Sequence, residues 1–258
     1  KYFINMKLKT TVFLASLLFA MNVNGQTKVI AHRGYWDKPG ASQNSRASLQ
    51  NALDLNVYGS ETDVWITTDG HIMVNHDPSF GGVNIQTSTY AQCKDLTLSN
   101  GEKMPELQEF LQTMKETTSP TKLIIELKKH DKIEDNMRAV HAILKAVDEY
   151  GVANKVEYIS FSLEACQEFV RCNPKARVAY LEGDVTPAML FNDGITGIDY
   201  QLKVLRKNPH WVAEAHGLNM DVNVWTVNKK ADMREMKKLG VDYITTNNPE
   251  GAIKVCKE

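Results

Sequence analysis

Eight short apolar runs, each followed by a stretch with helical spacing, recur along this chain, and nothing else in it narrows the fold as far. The runs lie at 29–32, 61–66, 123–127, 156–161, 177–181, 195–200, 222–227 and 243–246. They are short and carry Val, Ile and Tyr, as strands buried on both faces do. The intervening stretches place apolar residues three and four apart. Leu49, Ala52 and Leu53 form one such set, and Leu107, Phe110, Leu111 and Met114 another, in a helix expected over 105–117. Met137, Val140, Leu144 and Val147 mark a longer helix over 133–150, ended by Gly151. Further helices are expected at 163–172, after Thr186-Pro187, at 204–216 and 231–239, and from Pro249. Strand and helix in strict alternation predict a parallel sheet with crossover helices, and the count of eight predicts the closed TIM (β/α)8 barrel of the α/β class. Thr68-Asp69-Gly70 reads as a turn into a ninth run at 72–75, a hairpin inserted after the second strand. Residues 78–104 read as irregular and polar. An open doubly wound sheet is the alternative, but no GxGxxG or GxxxxGK run supports it.

One barrel over residues 26–258 agrees with 43% hydrophobic residues and a formal net charge of −1. That balance offers no basic footprint for a nucleic acid. Residues 1–25 read as upstream residues and a secretory signal peptide. Met6 is the expected start, Lys7 and Lys9 give a positive region, and the apolar run at 12–21 is short for a bilayer. Export to the periplasm or medium is therefore expected, with no stable membrane anchor after cleavage. Cys93, Cys166, Cys172 and Cys256 form no CxxC unit and read as buried free thiols, with Cys166 and Cys172 on different faces of one helix.

In a barrel, chemistry gathers at the C-terminal ends of the strands. His32 and Arg33 follow the first run. Glu61 and Asp63 lie two apart on the second, so both point to one face. Glu126 and Lys128 repeat that spacing on the next. Carboxylates this close repel unless a cation lies between them, and an all-oxygen set suits Mg²⁺ or Ca²⁺. A salt bridge to a neighbouring Lys or Arg is the plainer reading of any one acid. His32 and His76, the latter at the end of the hairpin run, are the acid–base candidates. Arg33 offers a planar fork for phosphate and Lys128 a point charge. His71, His130, His141, His210 and His216 read as surface or helix residues.

An ordered set of motifs then stands out: His32-Arg33-Gly34, Asn44-Ser45, Glu61-Thr62-Asp63-Val64, His76-Asp77, Glu126-Leu127-Lys128, Ser160-Phe161, Trp225-Thr226-Val227-Asn228 and Thr245-Thr246-Asn247-Asn248-Pro249. In order and over almost the whole chain past residue 26, it resembles the glycerophosphodiester phosphodiesterase family. The resemblance implies a TIM barrel that hydrolyses glycerophosphodiesters to glycerol 3-phosphate and an alcohol. It implies that Glu61, Asp63 and Glu126 hold one divalent cation, and that His32 and His76 are the acid–base pair in an order left open. Arg33 and Lys128 would hold the phosphate, with Phe161 and Trp225 at the substrate; a packed core aromatic is the other reading of Trp225. Three positions depart from the family's pattern. Gln43 stands where an acid is usual, Asn247 where Asp is frequent, and Pro78-Ser79-Phe80-Gly81-Gly82 replaces an Arg-Thr-Thr type segment. Two other functions stay open on these departures: a phosphodiesterase for another lipid or sugar phosphodiester, and an idle phosphate-binding barrel.

Overall fold

The carboxyl end of every barrel strand faces one mouth, and the chain's charged motifs are gathered there. The structure is a computed structural model that describes residues 26–258. The expected signal peptide lies outside the described residues. The barrel strands are β1 (Lys28–Ala31), β2 (Gly59–Ile66), β6 (Lys122–Leu127), β7 (Val156–Ser160), β8 (Val178–Tyr180), β9 (Gly197–Gln201), β10 (Asp221–Trp225) and β11 (Tyr243–Thr246). Each pairs in parallel with its neighbours, and β1 pairs with both β11 and β2, which closes the ring. The expected barrel is present. The hairpin strand is β3 (Ile72–Val74), antiparallel to β2.

Helices cover the outside: α1 (Arg46–Leu55), α3 (Leu107–Glu116), α4 (Ile133–Tyr150), α5 (Leu163–Cys172), α6 (Pro187–Asn192), α7 (Leu202–Lys207), α8 (His210–Gly217), α9 (Lys230–Leu239) and α10 (Pro249–Lys257). Period-two alternation divides each strand between two cores. Leu123, Ile125 and Leu127 face outward into the main core under the helices. Ile124 faces inward and packs with Ile30, Ile159, Leu181 and Tyr243 in a small plug inside the barrel. The plug lies below the polar mouth, so the site has an apolar floor.

Three expectations change. The helix expected over 204–216 is two, α7 and α8, because Pro209 has no N–H to donate and its ring clashes with the preceding turn. Residues 78–104 are more ordered than expected. They hold the ladder of β4 (Ser79–Phe80) with β5 (Val83–Asn84), a 3-10 turn at Ile85–Thr87 and α2 (Tyr90–Cys93). Phe80, Val83, Tyr90 and Leu96 pack there on Trp65, Met73, Ile85 and Cys93. All four cysteines are free, but Cys172 is exposed rather than buried. It ends α5 on the solvent side, where its Sγ lies 3.4 Å from Glu168 Oε1. Among the described residues no helix is long and apolar enough to cross a membrane.

Candidate active site

The site begins with β2, whose eight residues are all buried. Glu61 and Asp63 point into the barrel, and Asp63 is the register partner of Glu126 on β6. One carboxylate oxygen from each of the three lies within 4.8 Å of the others, and the three residues are 2%, 0% and 7% exposed. The carboxyl groups are held apart by different partners. Glu61 Oε2 accepts from the backbone N–H of Arg33 at 2.6 Å, while its buried Oε1 has no partner among the described residues. Asp63 Oδ2 accepts from Asn44 Nδ2 at 2.8 Å, and its Oδ1 from Lys128 Nζ at 3.2 Å. Lys128 Nζ also lies 2.6 Å from Glu126 Oε1.

The backbone that makes these contacts is unusual. Arg33 and Gly34 both have positive φ, 57° and 75°. The turn they form aims the Arg33 N–H at the Glu61 carboxylate and the Gly34 N–H at the Glu61 carbonyl, 3.0 Å away. A Cβ on Gly34 would fall 2.4 Å from Ser48 Oγ, so only glycine fits. Asn44, with φ of 59°, accepts at Oδ1 from Thr62 Oγ1 and from the Asp63 N–H, and so fixes Asp63. Left-handed backbone at non-glycine residues is costly and is retained where neighbours hold it.

Burial and mutual repulsion dominate the electrostatics. Burial first, then the charges of Asp63 and Glu126, push the Glu61 carboxyl well above the usual range. Burial and Asp63 push Glu126 up to about 8, against the pull of Lys128. Burial also acts to raise Asp63, but Lys128, His76, the Asn44 amide and Arg33 outweigh it and hold Asp63 below its ordinary value. Three acids here cannot all ionise at neutral pH on the positive charge of Lys128 and Arg33 alone. An orphaned buried oxygen and an oxygen-only donor set fit one hard divalent cation. The second grouping of possible ligands, His141, Glu168 and Cys172, fits worse, because Arg171 already pairs with Glu168 at 2.6 Å.

His32 follows β1 and donates from Nδ1 to Asn247 Oδ1 at 2.6 Å, which leaves Nε2 with its lone pair. Burial, then the Arg33 charge, hold its pKa at about 4, so it is neutral near pH 7. Replacing Asn247 by Asp would put a negative charge against Nδ1. Asn247→Asp is therefore expected to raise the His32 titration point above about 4. Imidazole NMR resonances followed against pH measure this, and an unmoved titration would show that position 247 does not set the charge state of His32.

His76 is placed by the hairpin. The Asn75 N–H donates to the Asp63 carbonyl at 3.0 Å, Trp65 Nε1 donates to the His76 carbonyl at 3.2 Å, and His76 Nδ1 pairs with Asp77 Oδ1 at 2.7 Å. His32 and His76 both line a cavity of about 200 Å³, with Phe161, Leu181 and Trp225 as its apolar wall. Phe161 and Trp225 meet edge to face at 5.5 Å between ring centroids. His76 and Arg33 also line an open groove of about 970 Å³, bordered by Trp36, Gln43, Asp77 and Phe80. His76 thus lines both the cavity and the groove, and His32 the cavity alone.

The expected site residues converge, with some corrections. His130 is buried rather than superficial: its Nδ1 donates to the Lys128 carbonyl at 2.8 Å and its Nε2 accepts from the Ile66 N–H at 3.0 Å. It fastens the end of β2 to the chain after β6. Gln43 places its amide oxygen 2.6 Å from Arg33 NH1, so the neutral side chain there bears on the arginine. Asp199 had no assigned role, yet its side chain lines the same cavity. Its inward direction follows from period-two alternation with Gly197 along β9, a signal already in the sequence.

Comparison with known proteins gives a consistent picture. Residues 32–251 match the model of the glycerophosphoryl diester phosphodiesterase family. A glycerophosphodiester phosphodiesterase of Caldanaerobacter subterraneus is 28% identical over 254 residues, covering 90% of this chain and 99% of that one. A crystal structure of a glycerophosphodiester phosphodiesterase from Parabacteroides distasonis superposes with a TM-score of 0.88 at 45% identity, covering 90% of this chain and 97% of that one. An Oleispira antarctica phosphodiesterase, solved with the product sn-glycerol-3-phosphate, shares the fold at a TM-score of 0.78 and 19% identity, covering 90% and 98% of the two chains.

Proposed function

This chain belongs to the glycerophosphoryl diester phosphodiesterase family, and from that premise we propose how its own residues hydrolyse glycerophosphodiesters to glycerol 3-phosphate and an alcohol. The observation that carries the reading is a triad of buried acids beside a histidine held neutral. Glu61, Asp63 and Glu126 would hold one divalent cation, Mg²⁺ or Ca²⁺. When bound, that ion polarises a phosphoryl oxygen and offsets charge in the transition state.

The remaining steps belong to side chains. Arg33, whose buried Nε has no hydrogen-bond partner among the described residues, and the Lys128 ammonium supply positive charge for the phosphate. His32 takes the proton of the attacking hydroxyl at Nε2. Asn247 takes up Nδ1, which fixes the tautomer and leaves the Nε2 lone pair free to accept. His76 gives a proton to the leaving alkoxide, because it stands where the cavity meets the groove. Phe161 and Trp225 give the glycerol carbons an apolar wall.

A divalent-metal titration of the protein against a panel of glycerophosphodiesters tests the reading. Glycerol 3-phosphate release should rise with Mg²⁺ or Ca²⁺ and stop with chelator. Absence of release from every member of the panel with either ion would overturn it. Faster turnover of a lipid or sugar phosphodiester without glycerol would favour that substrate class instead.

A further inference from the structure

Asp199 is the buried acid that the proposed reaction does not use. It lies on β9, across the ring from β2, and is 1% exposed. Its register partner on β10 is Asn223. The Asn223 amide donates to Thr245 Oγ1 on β11 at 2.8 Å. Asp199 Oδ1 is left without a hydrogen-bond partner among the described residues.

A buried carboxyl oxygen without a partner is costly, and replacing such a group by an apolar one is often neutral or stabilising. Asp199 is therefore a poor choice for stability alone. Its side chain lines the 200 Å³ cavity together with Thr245, Leu181 and Trp225. The cavity is thus divided by chemistry. Glu61, Glu126 and His32 come from the β1, β2 and β6 side, the apolar wall from the ends of β7, β8 and β10, and the oxygen-bearing side chains Asp199 and Thr245 from β9 and β11. A small polyol esterified to phosphate has the same division: an anionic end, a carbon chain, and hydroxyls that need partners once water is excluded.

We propose that Asp199 is a specificity-determining residue that pairs with the free hydroxyls of the substrate's polyol half, with Thr245 beside it. The inference rests on the functional reading above, because it takes the polyol to be the part held in the 200 Å³ cavity. A site that hydrogen-bonds a hydroxyl rejects the analogue lacking it, since its own polar group is then left unpaired. The Asp199 carboxyl, which lines the cavity with an oxygen that has no hydrogen-bond partner among the described residues, is such a group.

The test compares sn-glycerol 3-phosphate with n-propyl phosphate, which has the same three carbons and no hydroxyls. Both are titrated calorimetrically into the whole protein with Mg²⁺ or Ca²⁺ present. The unmodified protein should bind glycerol 3-phosphate about tenfold or more tighter than propyl phosphate. In Asp199→Leu that preference should shrink to about twofold or less, with propyl phosphate binding unchanged. Thermal unfolding should show little loss of stability, because the Trp225 indole donates to the backbone carbonyl of Asp199 and the Asn223 amide, the side chain's one neighbouring donor, keeps its bond to Thr245. If leucine overfills the wall and the variant fails to fold, Asp199→Ala carries the same expectation without added volume.

Equal weakening of both ligands, or an unmodified protein that does not discriminate, overturns the proposal. Turnover of glycerophosphodiesters by the unmodified protein is scored separately. Its absence would remove the functional reading, while the two binding constants still decide whether Asp199 recognises hydroxyls.

Discussion

Replacing His32 by alanine is expected to lower kcat on glycerophosphodiesters by about 10²- to 10⁴-fold, the range for removing a positioned general base. The loss should persist on a diester with an acidic phenol as leaving group, because the attacking hydroxyl must still lose its proton. His76→Ala should behave differently. It should lose a comparable factor on a choline or ethanolamine diester, whose alkoxide needs a proton, and far less on the phenolic diester, whose leaving group departs unassisted. The argument rests on position and charge state. His32 lies in the cavity, away from the groove, with Nδ1 committed to Asn247 and its pKa at about 4. His76 lines both the cavity and the groove. Steady-state kinetics on the two substrate types decide the matter. If His32→Ala were the variant rescued by the phenolic leaving group, the two roles would have to be exchanged.

Glu61→Gln is expected to separate activity from stability. It removes a carboxylate from the triad, and activity should fall on the order of 10²- to 10³-fold, as when one electrostatic contact to the transition state is lost. In chelator the same variant should be more stable than the unmodified protein by about 1–3 kcal/mol, because the amide carries no charge to bury or to repel Asp63 and Glu126 and offers them an N–H. For a barrel of this size that is roughly 2–4 °C in Tm per kcal/mol.

The sign with pH follows from the same groups. Glu61 and Glu126 have folded pKa values above their unfolded ones, Glu126 at about 8. Each group's favourable contribution is complete below the unfolded pKa and is lost as pH rises through the folded pKa. Without metal, stability should decline from about pH 5 to pH 8 on account of these two groups. A bound cation requires the ionised forms, so the rise in Tm on adding Mg²⁺ or Ca²⁺ should grow over that window. At a hundredfold excess over Kd it would reach about 2.7 kcal/mol. A metal-induced rise that shrank between pH 5 and pH 8 would contradict a cation held by these carboxylates.

Much of the site is legible along the chain because its residues are fixed by local periodicity. Glu61 and Asp63 share a face on any strand, as do Glu126 and Lys128, and a parallel barrel collects strand ends at one mouth. The apolar spacing of α4 and the stop at Gly151 needed no distant partner either. Local signals were weaker where polarity masked order. The segment 78–104 reads as loop, yet Phe80, Val83, Tyr90 and Leu96 pack under the hairpin. Pro209 splits α7 from α8 although the apolar pattern continues across it.

By itself the sequence determined the barrel, the inward acids and the two histidines, because alternation with period two and helical spacing are properties of neighbouring residues. Only the tertiary structure decided which partners those groups meet. His32 owes its tautomer to Asn247, 215 residues away, because β1 and β11 close the ring. His130 became a buried fastener because its two ring nitrogens find backbone groups at the ends of β2 and β6. Asp199 comes to line the cavity beside Thr245 because β9, β10 and β11 are neighbours in the ring, with Asn223 of β10 between them donating its amide to Thr245. Charge state and hydrogen bonding depend on what closes over a group, and that is set by contacts between strands far apart in the chain.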